Sequence, residues 1–328
     1  MKRLRWILEN NPLGSRLTGG DSWVAESGDT IVGHYAKIRY TMRYLGQDCL
    51  GTQGSHLATH PEFRRQGVAS DLVEHAREDS TSLGVKMSFN FPNFPSSVLA
   101  SKKRVLYPGT SRKLHLVLDR RQYLQKRFGG STARVIGFLG FFPSKKLGQF
   151  RAEDPRGNEA EVVAGIRDNA GRVWEAVKSR FDLGIIRSTE YLRWRYCGGW
   201  GSYTTISLVS QGETKGYVVA AMSGEGNSRR MTLCELLAKD EDEATYEALG
   251  SVIIAEAKRQ GATYISTYSS PLPGCRMELQ KLGFVSTSFG FFFGNPGVSP
   301  AMYLFEGNAD SSLRRSAYYY TPGDADFV

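Results

Sequence analysis

The chain contains no run of eighteen or more apolar residues, so none of its segments combines the length and the hydropathy of a membrane-spanning helix. Its first residues, Met1-Lys2-Arg3-Leu4-Arg5-Trp6, do not form the apolar core of a secretory signal either, and we expect a cytoplasmic protein. Cysteine is scarce: the 4 cysteines are widely separated and form no Cys-x-x-Cys pair. We therefore expect reduced thiols rather than disulfides, and no metal ion.

Acidic residues are in deficit, because 33 of them stand against 42 basic residues and leave a formal charge of +9. Such a charge suits a phosphorylated cofactor, a nucleotide-linked substrate, nucleic acid or an anionic membrane surface, and its sign does not choose among them. The basic residues are spread along the chain and runs such as residues 101–104 are short, so no nucleic-acid partner is expected. An apolar fraction of 41% excludes a disordered or fibrous chain.

The first half of the chain reads as a β-rich start followed by a βαβ unit. Two β-rich runs in residues 22–38 flank Ser27-Gly28-Asp29 and predict a hairpin. A strand from Gly54 to His60 is expected to end at Pro61, and an amphipathic helix and a strand over residues 85–91 follow. The helix is indicated by apolar residues at helical spacing and by a glycine just past its end: Val68, Leu72, Val73, Ala76 and Gly84.

The second half repeats this order of elements. Residues 31–35 are echoed by residues 214–218, and an amphipathic helix over residues 244–253 closes at Gly261 and leads into a strand over residues 263–268. We therefore predict a mixed α/β fold that occurs twice in the chain. The predicted domains are residues 1–119 and 186–295, with a connector over residues 120–185 and a C-terminal tail over residues 296–328.

A basic turn that contains a glycine lies between the strand ending at Pro61 and the predicted helix. It comprises Arg64, Arg65, Gln66, Gly67, Val68, Ala69 and Ser70. The N-terminus of a helix offers unpaired N–H groups and a partial positive charge to an anion, and Gly67 allows a ligand to approach the backbone. The two arginines add full positive charges. We interpret the turn as a pyrophosphate-binding site, with an exposed basic loop as the alternative.

The segment from Leu57 to Ala69, Leu-Ala-Thr-His-Pro-Glu-Phe-Arg-Arg-Gln-Gly-Val-Ala, closely resembles the acetyl-CoA signature of the Gcn5-related N-acetyltransferases (GNAT). Residues 187–196 and 320–326 are similar to later segments of a two-domain bacterial and archaeal subgroup of that family. The resemblance implies a tandem GNAT fold, α/β with a mixed sheet, whose second copy is degenerate. In place of the phosphate turn that copy has Lys239-Asp240-Glu241-Asp242, whose carboxylates repel phosphates, so one acetyl-CoA site is expected.

The resemblance also implies roles for residues beside the turn. Pantetheine is expected to bind the backbone of Leu57, Ala58 and Thr59, where an amide polarises the thioester carbonyl. Asn93 and Ser97 are assigned to the cofactor site as well. Ser97 stands where many members of the family have a tyrosine that protonates the departing thiolate. The proton donor therefore stays open between water and a tyrosine from elsewhere in the chain, and impaired catalysis is the third reading.

Candidates for the general base come from two parts of the sequence. His56 is the first, because an imidazole titrates near neutral pH; a packed or surface histidine is the equal alternative. Asp324 and Asp326 form an acidic pair in the tail that would bind the amine of the acceptor, with a solvated terminus as the alternative.

Together these features predict an acetyl-CoA-dependent N-acetyltransferase that acts on a primary amine of a small molecule by direct attack. An amino sugar or a sugar nucleotide is the expected acceptor. Two alternatives stay open: an aminoacyltransferase of the peptidoglycan-bridge type, and a non-catalytic module that binds coenzyme A or serves as a scaffold. A homodimer is a further prediction, and no membrane span is expected.

Overall fold

The structure of the chain is a computed structural model, and it describes residues 6, 10–13, 21–91, 105–106, 111–128, 161–198, 201–268, 272–286, 297–298, 301–304 and 318–324. Within these ranges no helix is long and apolar enough to cross a membrane.

The described ranges contain both strands and helices. The strands are β1 Ser22–Ser27, β2 Thr30–Tyr44, β3 Gln47–Thr59, β4 Met87–Asn90, β5 Val105–Leu106, β6 Ser111–Val117, β7 Glu161–Ala164, β8 Leu183–Ile185, β9 Tyr203–Ser210, β10 Glu213–Ser223, β11 Arg230–Ala238, β12 Tyr264–Tyr268, β13 Val285–Ser286, β14 Gly297–Val298, β15 Ala301–Leu304 and β16 Tyr318–Tyr319. The α-helices are α1 Val68–Ser82, α2 Arg120–Phe128, α3 Gly171–Val177, α4 Thr189–Cys197, α5 Glu243–Arg259 and α6 Pro273–Lys281. Short 3-10 turns cover Pro61–Phe63, Lys178–Arg180, Gly226–Ser228, Lys239–Glu241 and Pro322–Asp324.

The packing of the backbone divides the chain into two units, and each contains segments that are remote in sequence. The first unit consists of Met1–Thr110, Phe181–Ile186 and Ser299–Tyr318. The second consists of Ser111–Arg180, Arg187–Val298 and Tyr319–Val328. The predicted domain limits at residues 119, 185 and 295 stay a prediction.

The sheet of the first unit is mixed. Its strands run in the order β8-β2-β3-β4-β15-β5, and β1 pairs with β2. The long strands β2 and β3 are antiparallel, whereas β4 runs parallel to β3 after the crossover through α1. The strand β15 comes from the C-terminal part of the chain and pairs antiparallel with both β4 and β5.

Helix α1 covers one face of this sheet, and Gly33 of β2 sets the distance between the helix and the strand. A Cβ atom on Gly33 of β2 would stand 2.6 Å from Cγ1 of Val68 and 2.9 Å from Cδ1 of Leu72, which is closer than carbon atoms can approach. The absence of that side chain brings the helix against the strand. The small core beneath it contains Tyr35, Leu72 and Ala76.

The second unit repeats the arrangement of the first. Its strands run in the order β7-β9-β10-β11-β12-β6, β11 and β12 are parallel, and β13 and β14 both pair with β6. Helix α5 packs on β10 at Gly216, where a Cβ atom would stand 2.6 Å from Cγ2 of Thr245 and 3.0 Å from Cδ1 of Leu249. Gly33 and Gly216 therefore each allow a helix to pack closely on a strand, which explains why residues 31–35 and 214–218 resemble each other.

Most elements expected from the sequence are present, with shifts at their ends. The hairpin turn at Gly28 is confirmed, since Ser27 of β1 pairs with Thr30 of β2. Both crossover helices are confirmed, and each is followed by a glycine with a positive φ, Gly84 and Gly261. The strand predicted from Gly54 begins earlier, at Gln47, because it continues the antiparallel ladder with β2.

Candidate functional site

The parallel strands of the first unit separate along β3. Among the described residues, β4 pairs with β3 only at Gly51, Thr52 and Gln53. Strand β3 continues for six residues, 54–59, along which β4 makes no pairs. The N–H group of His60 donates to the carbonyl oxygen of Val32 in β2, and the alternation of a strand turns the N–H of Thr59 toward the opposite edge. As far as the described residues show, this edge is therefore open to an extended ligand.

A glycine marks the point of separation. A Cβ atom on Gly54 would stand 2.5 Å from Oδ1 of Asn90 and would also clash with the hydroxyl group of Tyr35. Two polar groups therefore converge where β3 and β4 part, and no side chain of β3 separates them. Glycine inside a strand is a known signal of such close approach, but only the pairing of the strands identifies which groups meet there.

His56 lies in a β-bulge just beyond this point. The register places His34 opposite Ala58 and Ala36 opposite Ser55, so two residues of β3 face Tyr35 alone. The backbone of His56 has a φ of 55°, which an L residue adopts at a cost in free energy, and its side chain is exposed. Strain of this kind, held in place beside an open edge, favours a functional role for the residue.

Two neighbours fix the geometry of the bulge. Nδ1 of His34 lies 3.0 Å from the carbonyl oxygen of His56, and because a carbonyl only accepts, this nitrogen must donate. Nε2 of the same ring lies 2.8 Å from Oγ of Ser22. The hydroxyl oxygen of Ser55 lies 2.6 Å from Nδ1 of His56 and orients its imidazole. His34 and Ser55 were not identified from the sequence, because their roles depend on the register between β2 and β3.

The basic turn connects the open edge of β3 to helix α1. After the 3-10 turn at Pro61–Phe63, Arg64 is extended and Arg65 has a φ of 63°. Gly67 has a φ of 92° and is the N-cap of α1, where no side chain in the described part of the chain caps the helix. The N–H groups of Ser70 and Asp71 make the first helical hydrogen bonds, both to the carbonyl oxygen of Gly67. The position of the turn between a strand and a helix is thus confirmed.

The basic turn is accessible to solvent. Arg64, Arg65, Gln66, Gly67 and Ser70 are exposed, while Val68 and Ala69 are half-buried. The side chain of Gln66 turns back and donates to the carbonyl oxygen of Glu62, 3.0 Å away. Two arginine side chains and the first amides of α1 are therefore available to an anion at one exposed place.

The corresponding helix of the second unit is capped by its own chain. Oδ2 of Asp242 accepts from the backbone N–H of Thr245 at 2.9 Å and from the hydroxyl group of Thr245 at 2.5 Å. Asp240 and Glu241 precede it with positive φ values. A carboxylate occupies the position that an anionic ligand would take, in agreement with the acidic sequence there.

The predicted catalytic and cofactor residues fall into three groups. Leu57, Ala58 and Thr59 lie on the open part of β3 beside His56, and the basic turn follows them. Asp324 lies in the second unit, buried, with both carboxylate oxygens 2.7 Å from Nη2 of Arg187. Asn93, Ser97 and Asp326 lie outside the described residues. The roles assigned to all of these residues stay predictions.

Comparison with known proteins agrees with this geometry. Residues 9–99 match the family described as acetyltransferase (GNAT) domain. Among solved structures, the chain is similar to a GCN5-related N-acetyltransferase from Anabaena variabilis (TM-score 0.59, 13% identity, 93% of this chain and 70% of that chain). N-myristoyltransferase from Saccharomyces cerevisiae with bound myristoyl-CoA gives the same values. A GCN5-related N-acetyltransferase from Kribbella flavida gives a TM-score of 0.53 at 16% identity, over 92% of this chain and 69% of that chain. No curated protein matches the sequence.

The parted parallel strands, the bulge and the helix that follows all lie within the residues that match the acetyltransferase (GNAT) domain, which supports an N-acyltransferase. Residues 9–99, which contain the whole open edge of β3 and the basic turn, match a domain of the GNAT superfamily. The assignment to a two-domain subgroup of that superfamily stays a prediction.

Proposed function

We propose that the first unit transfers an acetyl group from acetyl-CoA to a primary amine of a small molecule, by direct attack of the amine on the thioester. One observation carries the proposal: the open edge of β3 leads within eight residues, 60–67, to the uncapped N-terminus of α1. An extended thioester that lies along residues 57–59 would thus reach a site for its pyrophosphate at the end of the same segment.

The backbone groups and the arginine side chains of the site have different roles in the proposed reaction. The first amides of α1 and the guanidinium groups of Arg64 and Arg65 bind the pyrophosphate by charge-assisted hydrogen bonds. The backbone of residues 57–59 holds the pantetheine arm and polarises the thioester carbonyl. The backbone groups among them are preorganised by the sheet and the helix, so their orientation costs little when the substrate binds.

His56 is the proposed general base. As the amine nitrogen forms its bond to the acyl carbon and the carbon–sulfur bond breaks, the imidazole takes the proton that the amine loses. Its exposed side chain at the bulge is suited to this task. The carboxylate of Asp324 is already engaged by Arg187, which makes it the weaker candidate.

The test measures the binding of coenzyme A and the turnover separately. Coenzyme A at about a hundredfold its dissociation constant should stabilise the chain by about 2.7 kcal/mol, and Arg64→Glu should abolish this gain. Arg121→Glu is the matched control, because Arg121 is an exposed arginine of α2 in the second unit and the change of charge is the same. A chain that coenzyme A does not stabilise at all would refute the proposal.

Turnover distinguishes the proposed reaction from its alternatives. Release of free thiol from acetyl-CoA is measured with amino sugars, nucleotide-linked amino sugars, polyamines and lysine as acceptors. The yeast neighbour is described with myristoyl-CoA, so longer acyl donors are measured in parallel. Binding of coenzyme A without thiol release from any pair would favour the non-catalytic alternative.

A further inference from the structure

The second unit contains the same parting of strands as the first. Within the ranges that the structure describes, strand β12 pairs with β11 only at Arg230, Met231 and Thr232, and β11 continues for six residues, 233–238. Six residues of β3 likewise follow its last pair with β4. A bulge lies in the same part of both strands, since the register between β10 and β11 shifts between Val219 and Ala220. The second unit therefore retains the opening.

The two openings differ in their exposure to solvent. In the first unit His56 and Ala58 are exposed. In the second unit every residue from Leu233 to Ala238 is buried, and Cys234, Leu237 and Ala238 have no accessible surface. Because these residues are buried, another segment must cover the edge of β11 with which β12 does not pair.

Part of the cover is the chain's own C-terminal segment. Gly323 lies so close to β11 that a Cβ atom on it would stand 3.2 Å from the carbonyl oxygen of Cys234 and would clash with the hydroxyl group of Tyr196. The carbonyl oxygen of Gly323 accepts from Nε of Arg195 at 3.0 Å. The ring of Tyr320 lies 6.3 Å from that of Tyr268, the last residue of β12. The segment therefore lies beside both strands that part.

A buried charge cluster holds this segment by its side chains. Nη2 of Arg187 lies 2.7 Å from both carboxylate oxygens of Asp324 and 3.2 Å from Oε1 of Glu235. Thr321 donates its hydroxyl hydrogen to Oε1 of Glu235 at 3.0 Å and its backbone N–H to Oδ2 of Asp324 at 2.8 Å. The hydroxyl oxygen of Tyr319 lies 3.4 Å from Oε2 of Glu235.

The buried charge of Arg187 is compensated by two carboxylates, those of Glu235 and Asp324. Arg187 and Glu235 have no accessible side-chain surface. A buried ion that loses its partner keeps the cost of its desolvation, so removal of the Asp324 carboxylate leaves Arg187 with less compensation. The ring of Tyr319 also lies 4.6 Å from the guanidinium carbon of Arg187, within the range of a cation–π contact.

We propose that the opening between β11 and β12 is a peptide-binding cleft whose ligand is the chain's own segment 319–324, with Arg187 recognising the acidic residue. The ligand class is a short peptide that presents a hydroxyl side chain, a glycine at the strand edge and a carboxylate one residue later. The cleft takes its ligand from the same chain, and this inference does not depend on the proposed acyl transfer.

Complementation by a peptide tests the proposal. The chain is truncated after Tyr318, and a synthetic peptide with the sequence of residues 319–328 is added. The peptide should bind this truncated chain with a stoichiometry of one and restore its melting temperature, whereas the full chain should not bind it. A peptide with Asp324→Asn should bind at least tenfold more weakly. A chain truncated after Asp324 is the matched control and should melt like the full chain.

Hydrogen exchange in the full chain gives a second readout that does not require the truncated chain to fold. In Gly323→Ala and in Asp324→Asn, the amides of residues 233–238 should exchange at least tenfold faster, with little change at residues 54–59 of the first unit. The proposal is overturned if both variants keep the exchange rates of the original chain. It is also overturned if the truncated chain melts at the original temperature and does not bind the peptide.

Discussion

Nζ of Lys37 lies 2.7 Å from the carbonyl oxygen of Ala76, beneath helix α1 in the first unit. The same nitrogen lies 2.8 Å from Oγ of Ser80, and only 3% of the residue is accessible to solvent. Burial lowers the pKa of Lys37 from 10.5 to about 7, and the charge of Arg77 adds to this effect while Asp79 and Asp21 oppose it. The amine is therefore close to half-neutralised at physiological pH while it fastens the strand to the helix.

This pKa predicts how stability depends on pH. Between pH 7 and pH 10.5 the unfolded chain binds more protons at this residue than the folded chain, so the free energy of unfolding rises with pH across that window. Lys37→Met removes the titrating group. The difference in unfolding free energy, original chain minus variant, should therefore increase by about 1 kcal/mol per pH unit above pH 7. Urea unfolding at several values between pH 6.5 and pH 9.5 measures it, and parallel profiles would contradict the assignment.

Because α1 packs closely on Gly33, we expect that even an alanine side chain at this position disturbs the helix. Gly33→Ala places a Cβ atom 2.6 Å from Cγ1 of Val68, and such overpacking costs about 1–3 kcal/mol. Because Val68 begins the helix, the stabilisation by coenzyme A should fall as well. In the double variant Gly33→Ala/Val68→Ala the closer of the two clashing methyl groups is absent while that of Leu72 remains, and thermal unfolding should recover at least half of the loss. If the double variant is no more stable than Gly33→Ala, the contact is not the cause.

Local signals in the sequence were enough to place α1, the end of β3 and the basic turn. Pro61 ends the strand, the apolar spacing from Val68 gives the helix, and Gly84 closes it with a positive φ. These features depend on residues within a few positions of one another. The resemblance between residues 31–35 and 214–218 was visible too, although its cause, the close packing of a helix on Gly33 and on Gly216, appears only in the structure.

Features that depend on pairing between segments far apart in the chain were not predicted from the sequence. Strand β15 joins the first sheet from residue 301 onward, and β6 joins the second sheet from residue 111, because partners far apart in sequence leave no local pattern. For the same reason the role of His34 was not predicted, because its hydrogen bond to the carbonyl oxygen of His56 depends on the bulge between β2 and β3. The sequence placed Asp324 in a tail for which a solvated terminus was the alternative reading, whereas Asp324 is buried with Arg187.

The strain at His56 predicts opposite effects on stability and turnover. With a φ of 55°, the position suits glycine better than any residue with a Cβ atom, by about 1 kcal/mol. His56→Gly and His56→Ala both remove the imidazole and its contact with Ser55. The glycine variant should be about 1 kcal/mol more stable than the alanine variant, and both should lose acetyl transfer if His56 is the base. Thermal unfolding and thiol release separate the two effects, and undiminished turnover in both would exclude His56 as the base.

The self-capped helix α5 of the second unit predicts a loss of stability that depends on the oxygen of Asp242 and not on its charge. Asp242→Ala removes the acceptor for the backbone N–H and the hydroxyl group of Thr245, and the loss of such a cap costs about 1 kcal/mol. Asp242→Asn keeps an acceptor and should retain most of the stability. Glu247→Ala, an exposed position on the same helix, removes a carboxylate without a capping role and should change the unfolding free energy by less than about 0.5 kcal/mol. If Asp242→Asn were as unstable as Asp242→Ala, charge would outweigh the hydrogen bond, because the dipole of α5 would then be the main partner of Asp242.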